Sequence, residues 1–153
     1  MNKTALIQAI TDALREDFDT FRSTSKTTRE GGNDSESKAE GKYDTRSIEE
    51  NYLADGLAKQ AHATAQAAAA YEKLVLRDFD STTPIDLSAL VQLEFSNETQ
   101  WFFLGPTAGG IEVNHGNRLI TILTPESPLG SQLLGLKVGD STASPKTKVR
   151  AVL

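Results

Sequence analysis

The run Ala61-His-Ala-Thr-Ala-Gln-Ala-Ala-Ala-Ala-Tyr-Glu-Lys-Leu74 leaves the chain little choice. Alanine gives up no side-chain entropy in a helix, so a stretch this rich in it is helical. Around it Leu53, Leu57, Ala61, Thr64, Ala68, Tyr71 and Val75 recur at steps of three and four, one apolar face of a helix from about Thr45 to Arg77. Ser47 and Glu50 fit a capping box and allow a start two residues later. Upstream, Ile7, Ile10, Leu14, Phe18 and Phe21 mark a second helix, from Lys3 into the low twenties, which Asn2 or Thr4 can cap. Both stripes are narrow. Two narrow stripes on consecutive helices pair as an antiparallel hairpin, and small alanine side chains let the partner approach closely. At 1.5 Å per residue the second helix is roughly 50 Å long. A small second domain cannot cover that length, so a projecting arm is expected; the alternative is a two-helix layer lying flat on a sheet.

Between the helices, residues 25–44 are polar, with Gly31-Gly32-Asn33 as a breaker. Asp34, Glu36, Glu40 and Asp44 supply carboxylates, offset by Lys38, Lys42 and Arg46. By composition this is a solvated loop. It is also a set of oxygen ligands suited to a hard cation such as Mg²⁺. It is not an EF-hand, because Ala39 and Thr45 stand where that loop needs glycine and glutamate.

The composition changes near Asp78–Pro84 from charged and alanine-rich to β-branched, glycine and proline. This divides the chain into a helical hairpin, 1–78, and a second domain, 79–153. Ala89–Phe95 and Gln100–Leu104 read as strands about a Ser-Asn-Glu-Thr turn. Gly109–Val113 and Arg118–Leu123 flank an Asn-His-Gly-Asn hairpin turn. Ser127-Pro128 starts a helix of about two turns, seated by Leu129, Leu133 and Leu134 and stopped by Gly135. A last strand ends the chain, with a start blurred by Pro145. The expectation is an α+β fold: an antiparallel two-helix arm followed by an antiparallel sheet with one short helix.

Several chemistries are excluded. A net charge of −5 argues against nucleic-acid binding by bulk charge. The absence of cysteine removes disulfides and thiolate metal sites. His115, in a hairpin turn, and His62, on the alanine-rich helix, have no companion ligands in sequence. Gly105-Pro-Thr-Ala-Gly-Gly110 lacks the Lys-Ser/Thr of a P-loop, and no serine stands in a G-x-S-x-G elbow. Trp101, Phe102 and Phe103 alternate between faces, so at least one aromatic is expected to be exposed and available for binding, with core packing the expected use of the others. No stretch is long and apolar enough for a membrane span, and the N-terminus turns polar too soon for a signal peptide, so a cytoplasmic protein is expected.

Ser127-Pro-Leu-Gly-Ser-Gln-Leu-Leu-Gly135-Leu-Lys-Val-Gly-Asp140 resembles the C-terminal signature of the Gre family of bacterial transcript-cleavage factors. Glu36 to Ala61, with Lys42-Tyr-Asp-Thr-Arg46, resembles the tip and descending helix of a smaller Gre-related group. The resemblance implies a coiled-coil arm and an FKBP-like C-terminal domain. It implies docking at the rim of RNA polymerase's secondary channel, with Ser127, Pro128, Leu129, Lys42, Tyr43 and Arg46 as partner-binding residues. In cleaving members, tip carboxylates help hold a second Mg²⁺ with which the polymerase hydrolyses backtracked RNA. Glu36 and Glu40 are the implied ligands here, with Asp34 and Asp44 as substitutes. They lie four apart, against three in the family's tip. The factor implied is an accessory protein rather than an enzyme, with no cofactor of its own. It would act as a monomer or weak dimer and meet nucleic acid only through the transcription complex. A prolyl isomerase and a hairpin adaptor are the alternative readings.

Overall fold

The computed structural model describes residues 1–32 and 45–153. Two long helices come first, α1 Lys3–Gly32 and α2 Thr45–Glu72. Six strands follow: β1 Leu90–Phe95, β2 Glu98–Leu104, β3 Glu112–His115, β4 Arg118–Leu123, β5 Ser141–Ala143 and β6 Lys146–Val152. A short helix, α3 Pro128–Leu133, lies between β4 and β5. By internal contacts the chain forms two compact units, 12–68 and a second made of 1–11 with 69–153. The cuts fall inside the helices, whereas the change of composition lies near 78–84.

In the helical unit, α1 and α2 run antiparallel. The Ser25 hydroxyl donates to the Ala54 carbonyl at 2.7 Å, Arg29 pairs with Asp55 at 2.8 Å, and Phe18 lines the same groove as Ala61. Partners on α2 thus advance as α1 is followed backwards. Along α2 the buried Ala54, Ala61, Ala68 and Tyr71, with the half-buried Leu57 and Thr64, follow a heptad spacing, and Ala67 is buried beside it. The expected face holds through the middle and fails at both ends. Leu53 is 58% exposed and Val75 76% exposed, and Ala54 takes the seam position next to Leu53. The small residue fits there because the Ser25 hydroxyl must reach the backbone beneath it.

Two helix ends differ from expectation. α1 continues to Gly32, about ten residues beyond its last expected apolar position. Its Ser/Thr-rich extension is held by the Ser25 and Arg29 contacts, by Thr27 donating to the Ser23 carbonyl and by a Lys26–Glu30 pair. α2 ends at Glu72 rather than Arg77. Beyond it comes a turn at Lys73, in which the Leu74 amide donates to the Tyr71 carbonyl, and the Arg77 amide is taken by the Ser88 hydroxyl at 3.0 Å instead of a helical carbonyl.

The sheet order is β3-β4-β2-β1-β6-β5. The expected antiparallel sheet is in fact mixed. β2 and β4 pair in parallel, with Trp101 opposite Ile120 and Phe103 opposite Ile122. The reason is topological: the β3–β4 hairpin lies with its second strand, not its first, beside β2. One face carries Val91, Leu93, Phe102, Leu104, Val149 and Val152, which cluster with Phe79, Ile85 and Leu133. The other carries Leu90, Phe103, Ile120 and Ile122, all buried. Leu6, Ile10 and Tyr71, from the helix ends in this unit, are buried too. Tyr71 reaches the chain just after β2, where its hydroxyl donates to the Thr107 carbonyl at 2.7 Å. The blurred final strand resolves into β5 and β6, joined at Ser144-Pro145.

Candidate functional site

The most specific sequence motif forms a closed corner. Ser127 is the N-cap of α3, with an extended backbone. Its hydroxyl oxygen accepts from the Gly130 amide at 3.0 Å, and the hydroxyl donates to the Thr124 carbonyl at 2.7 Å. Pro128 follows at the first helical position, where no amide is needed. Gly135 stops the helix with φ +81, and its amide donates to the Ile85 carbonyl at 2.9 Å. Gln132 ties α3 to the β5–β6 turn: its amide nitrogen donates to the Ser144 carbonyl at 2.7 Å, and its oxygen accepts from the amides of Ala143 and Ser144.

Of the three expected seats, Leu133 is buried and Leu129 packs partly against the core, but Leu134 is 38% exposed. Leu134 is the C-cap, just past the last helical residue, where its backbone (φ −55, ψ 126) leaves the helix. Ser127 has its hydroxyl engaged within the corner, so a partner would meet mainly the exposed Pro128 and Leu134.

The helical unit offers a groove of about 780 Å³. Its floor is Phe18 with Ala58, Ala61 and Ala65; Arg22, Lys26, Arg29 and His62 stand along it. Nearer the 33–44 segment, Ile48 and Tyr52 are 52% and 73% exposed, beside the exposed Leu53. Ile48 and Tyr52, one helical turn apart, leave aliphatic and aromatic surface in solvent at this end of α2, a candidate patch for a partner. It was missed from sequence because the periodicity placed Leu53 in the seam; the signal was Tyr52, off the stripe.

The carboxylate positions Asp34, Glu36, Glu40 and Asp44 lie outside the described residues, as do Lys42 and Tyr43. Arg46 lies in the first turn of α2, its side chain outside the described part. Among the described residues no group of three or more His, Asp or Glu could hold a metal ion, and no helix is long and apolar enough to cross a membrane. Trp101 is half-buried, with the Arg118 guanidinium 4.8 Å above its ring. His115 ends β3, opposite Arg118.

In the sheet unit the titrations of Asp80 and Lys3 are shifted furthest among the carboxyl and amine groups. Asp80 is held down at about 2 because the hydroxyls and amides of Thr82 and Thr83 all donate to it. This explains the Asp-Ser-Thr-Thr-Pro turn at the composition boundary. Lys3 lies 4.6 Å from the centroid of the Phe79 ring and donates to the Arg77 carbonyl. Burial pushes its amine down to about 8, against the opposing pull of Asp78. Below pH 8 both folded and unfolded chains carry this proton. Between about 8 and 10.5 only the unfolded chain keeps it, so its contribution to stability rises with pH across that window. Comparing pH-dependent unfolding of the wild type and Lys3→Met checks this. The wild type gains stability relative to the variant from pH 8 to 10; a parallel pair of curves rules it out.

Together these features define a two-helix arm followed by a six-stranded mixed sheet with one capped short helix. No family model and no curated protein matches the chain. Several solved chains are similar to it, among them the following two. One is described as the transcription factor Gfh1, at 20% identity and a TM-score of 0.37, covering 95% of this chain and 92% of that one. The other is GreA factor homolog 1 (Gfh1) protein of Thermus thermophilus, at 20% identity and a TM-score of 0.38, covering 97% and 92%. At those values neither assigns this chain to a family.

Proposed function

We propose that this chain is a Gre-like regulator that binds RNA polymerase at its secondary channel and modulates transcription elongation. The observation that carries the reading is the order of parts. Two long antiparallel helices are joined through the acid-bearing residues 33–44, and the Ser127–Asp140 motif follows as a capped helix with Pro128 outward. The arm presents the joining segment, and the corner at α3 docks. The finer reading is that Glu36 and Glu40, with Asp34 or Asp44, supply oxygen ligands to a Mg²⁺ shared with the polymerase.

A pull-down with core RNA polymerase tests the first part, and recovery of no polymerase sinks it. Stalled, backtracked complexes test the second: their RNA should shorten faster with the protein, and Glu36→Ala with Glu40→Ala should remove the acceleration while binding persists. Binding without acceleration leaves a non-cleaving adaptor, the reading that the exposed Ile48–Tyr52–Leu53 patch favours. A prolyl isomerase needs an aromatic pocket, and Phe79, Phe102 and Phe103 are committed to the core.

A further inference from the structure

Lys3 is the one described lysine that is not exposed; Lys26, Lys59, Lys73, Lys137, Lys146 and Lys148 all stand in solvent. It lies in a cleft of about 390 Å³ within the sheet unit, walled by Met1, Leu76, Phe79 and Leu153. Its amine donates to the Arg77 carbonyl and stands 4.6 Å from the centroid of the Phe79 ring. Two charged groups frame it. Asp78 favours the ammonium, and the Arg77 guanidinium, 5.4 Å from the same ring, is paired with Asp86. The ring face also favours the ammonium, by too little to restore an ordinary lysine. Desolvation outweighs Asp78 and brings the amine down to about 8.

We propose that Lys3 is an acyl-acceptor site, whose amine attacks the carbonyl carbon of a short-chain acyl thioester at the mouth of this cleft. A C–N bond forms and the C–S bond breaks. The nitrogen gives up one proton to water, and the sulfur leaves as a thiolate that takes a proton back from water. The product is an amide and a free thiol. A desolvated lysine suits this step because more of it carries a free lone pair at neutral pH. At about pH 7.5 roughly a quarter of Lys3 is neutral, against about one in a thousand of an ordinary lysine. The small volume and apolar walls of the cleft suit a short aliphatic acyl group over a long one. The secondary amide keeps one N–H, so it can still donate to the Arg77 carbonyl, while the positive charge beside Asp78 is lost. Acylation thus changes the charge at the start of α1 and leaves the side chain a bond to hold it in place.

The proposal is independent of polymerase binding and is tested on the full chain with acetyl-coenzyme A. Acetylation at each site is followed by mass spectrometry, with fragmentation that separates Lys3 from the α-amine of Met1. At about pH 7.5 Lys3 should be acetylated about tenfold faster than the exposed Lys59 and Lys73, its larger neutral share being offset in part by lower basicity and partial cover. Its rate should level off above pH 8, where the rates at Lys59 and Lys73 keep climbing. Unfolding the chain in urea should abolish the preference, because the cleft that produces it is gone. Equal rates at Lys3, Lys59 and Lys73 in the folded chain overturn the proposal. So does a Lys3 rate that climbs with theirs instead of levelling off, or a preference that survives in urea.

Discussion

Gly130→Ala lowers stability by about 2–4 kcal/mol, the cost of forcing a group into a closed core. An added Cβ would stand 1.9 Å from the Thr124 carbonyl oxygen and 2.6 Å from the Ser127 hydroxyl. Neither can retreat cheaply. The Thr124 carbonyl accepts from both the amide of Ser127, at 3.0 Å, and its hydroxyl, at 2.7 Å. Moving it breaks the bonds that start α3. Alanine's better helix propensity returns about 1 kcal/mol and does not reverse the sign. The unit concerned has about a hundred residues, so the melting temperature should fall by roughly 10–20 °C. Ser131→Ala, which removes only an exposed hydroxyl bonded to the Pro128 carbonyl, should cost under about 1 kcal/mol. Thermal unfolding of the two variants side by side decides it. If Gly130→Ala melts within two or three degrees of the wild type, the corner is not closed on the glycine as described.

That glycine shows which features could be read from the chain. The signals for α3 are local: a serine cap, a proline at the first position and a glycine stop, all within nine residues. Each sits where expected, with Ser127 capping and Gly135 at positive φ. The helix seam was legible for the same reason, since Leu57, Ala61, Thr64, Ala68 and Tyr71 repeat within one element. What escaped depends on distant partners. The last ten residues of α1 have poor propensity, and their support comes from Ala54 and Asp55, nearly thirty residues away. The parallel β2–β4 pair is set by which strand of a hairpin lands beside β2, and no local pattern encodes that. The candidate site divides the same way. Ser127 was identifiable, but its hydroxyl proves to be committed internally, while the exposed Tyr52 had no periodic signal.

Tyr71→Ala is expected to cost about 3–5 kcal/mol, in the range for deleting a buried aromatic. Tyr71 stands near the end of α2, is 1% exposed, and bonds the Thr107 carbonyl through its hydroxyl. Burial also pushes its phenol well above the ordinary tyrosine range, so the hydroxyl stays a donor at any working pH. Tyr71→Phe keeps the ring and loses only that bond, for about 1–2 kcal/mol. Gly105 makes the comparison sharper. A Cβ there would stand 2.1 Å from the Tyr71 hydroxyl oxygen and 2.9 Å from the ring carbon bearing it. Gly105→Ala should therefore destabilise strongly beside tyrosine and less beside phenylalanine, where the closest atom is gone. A double-mutant cycle by urea unfolding reads this directly: Tyr71→Phe with Gly105→Ala should cost less than the two single changes added together. Strict additivity would mean that the hydroxyl does not stand over Gly105, and that some other contact holds the end of α2 in the sheet unit.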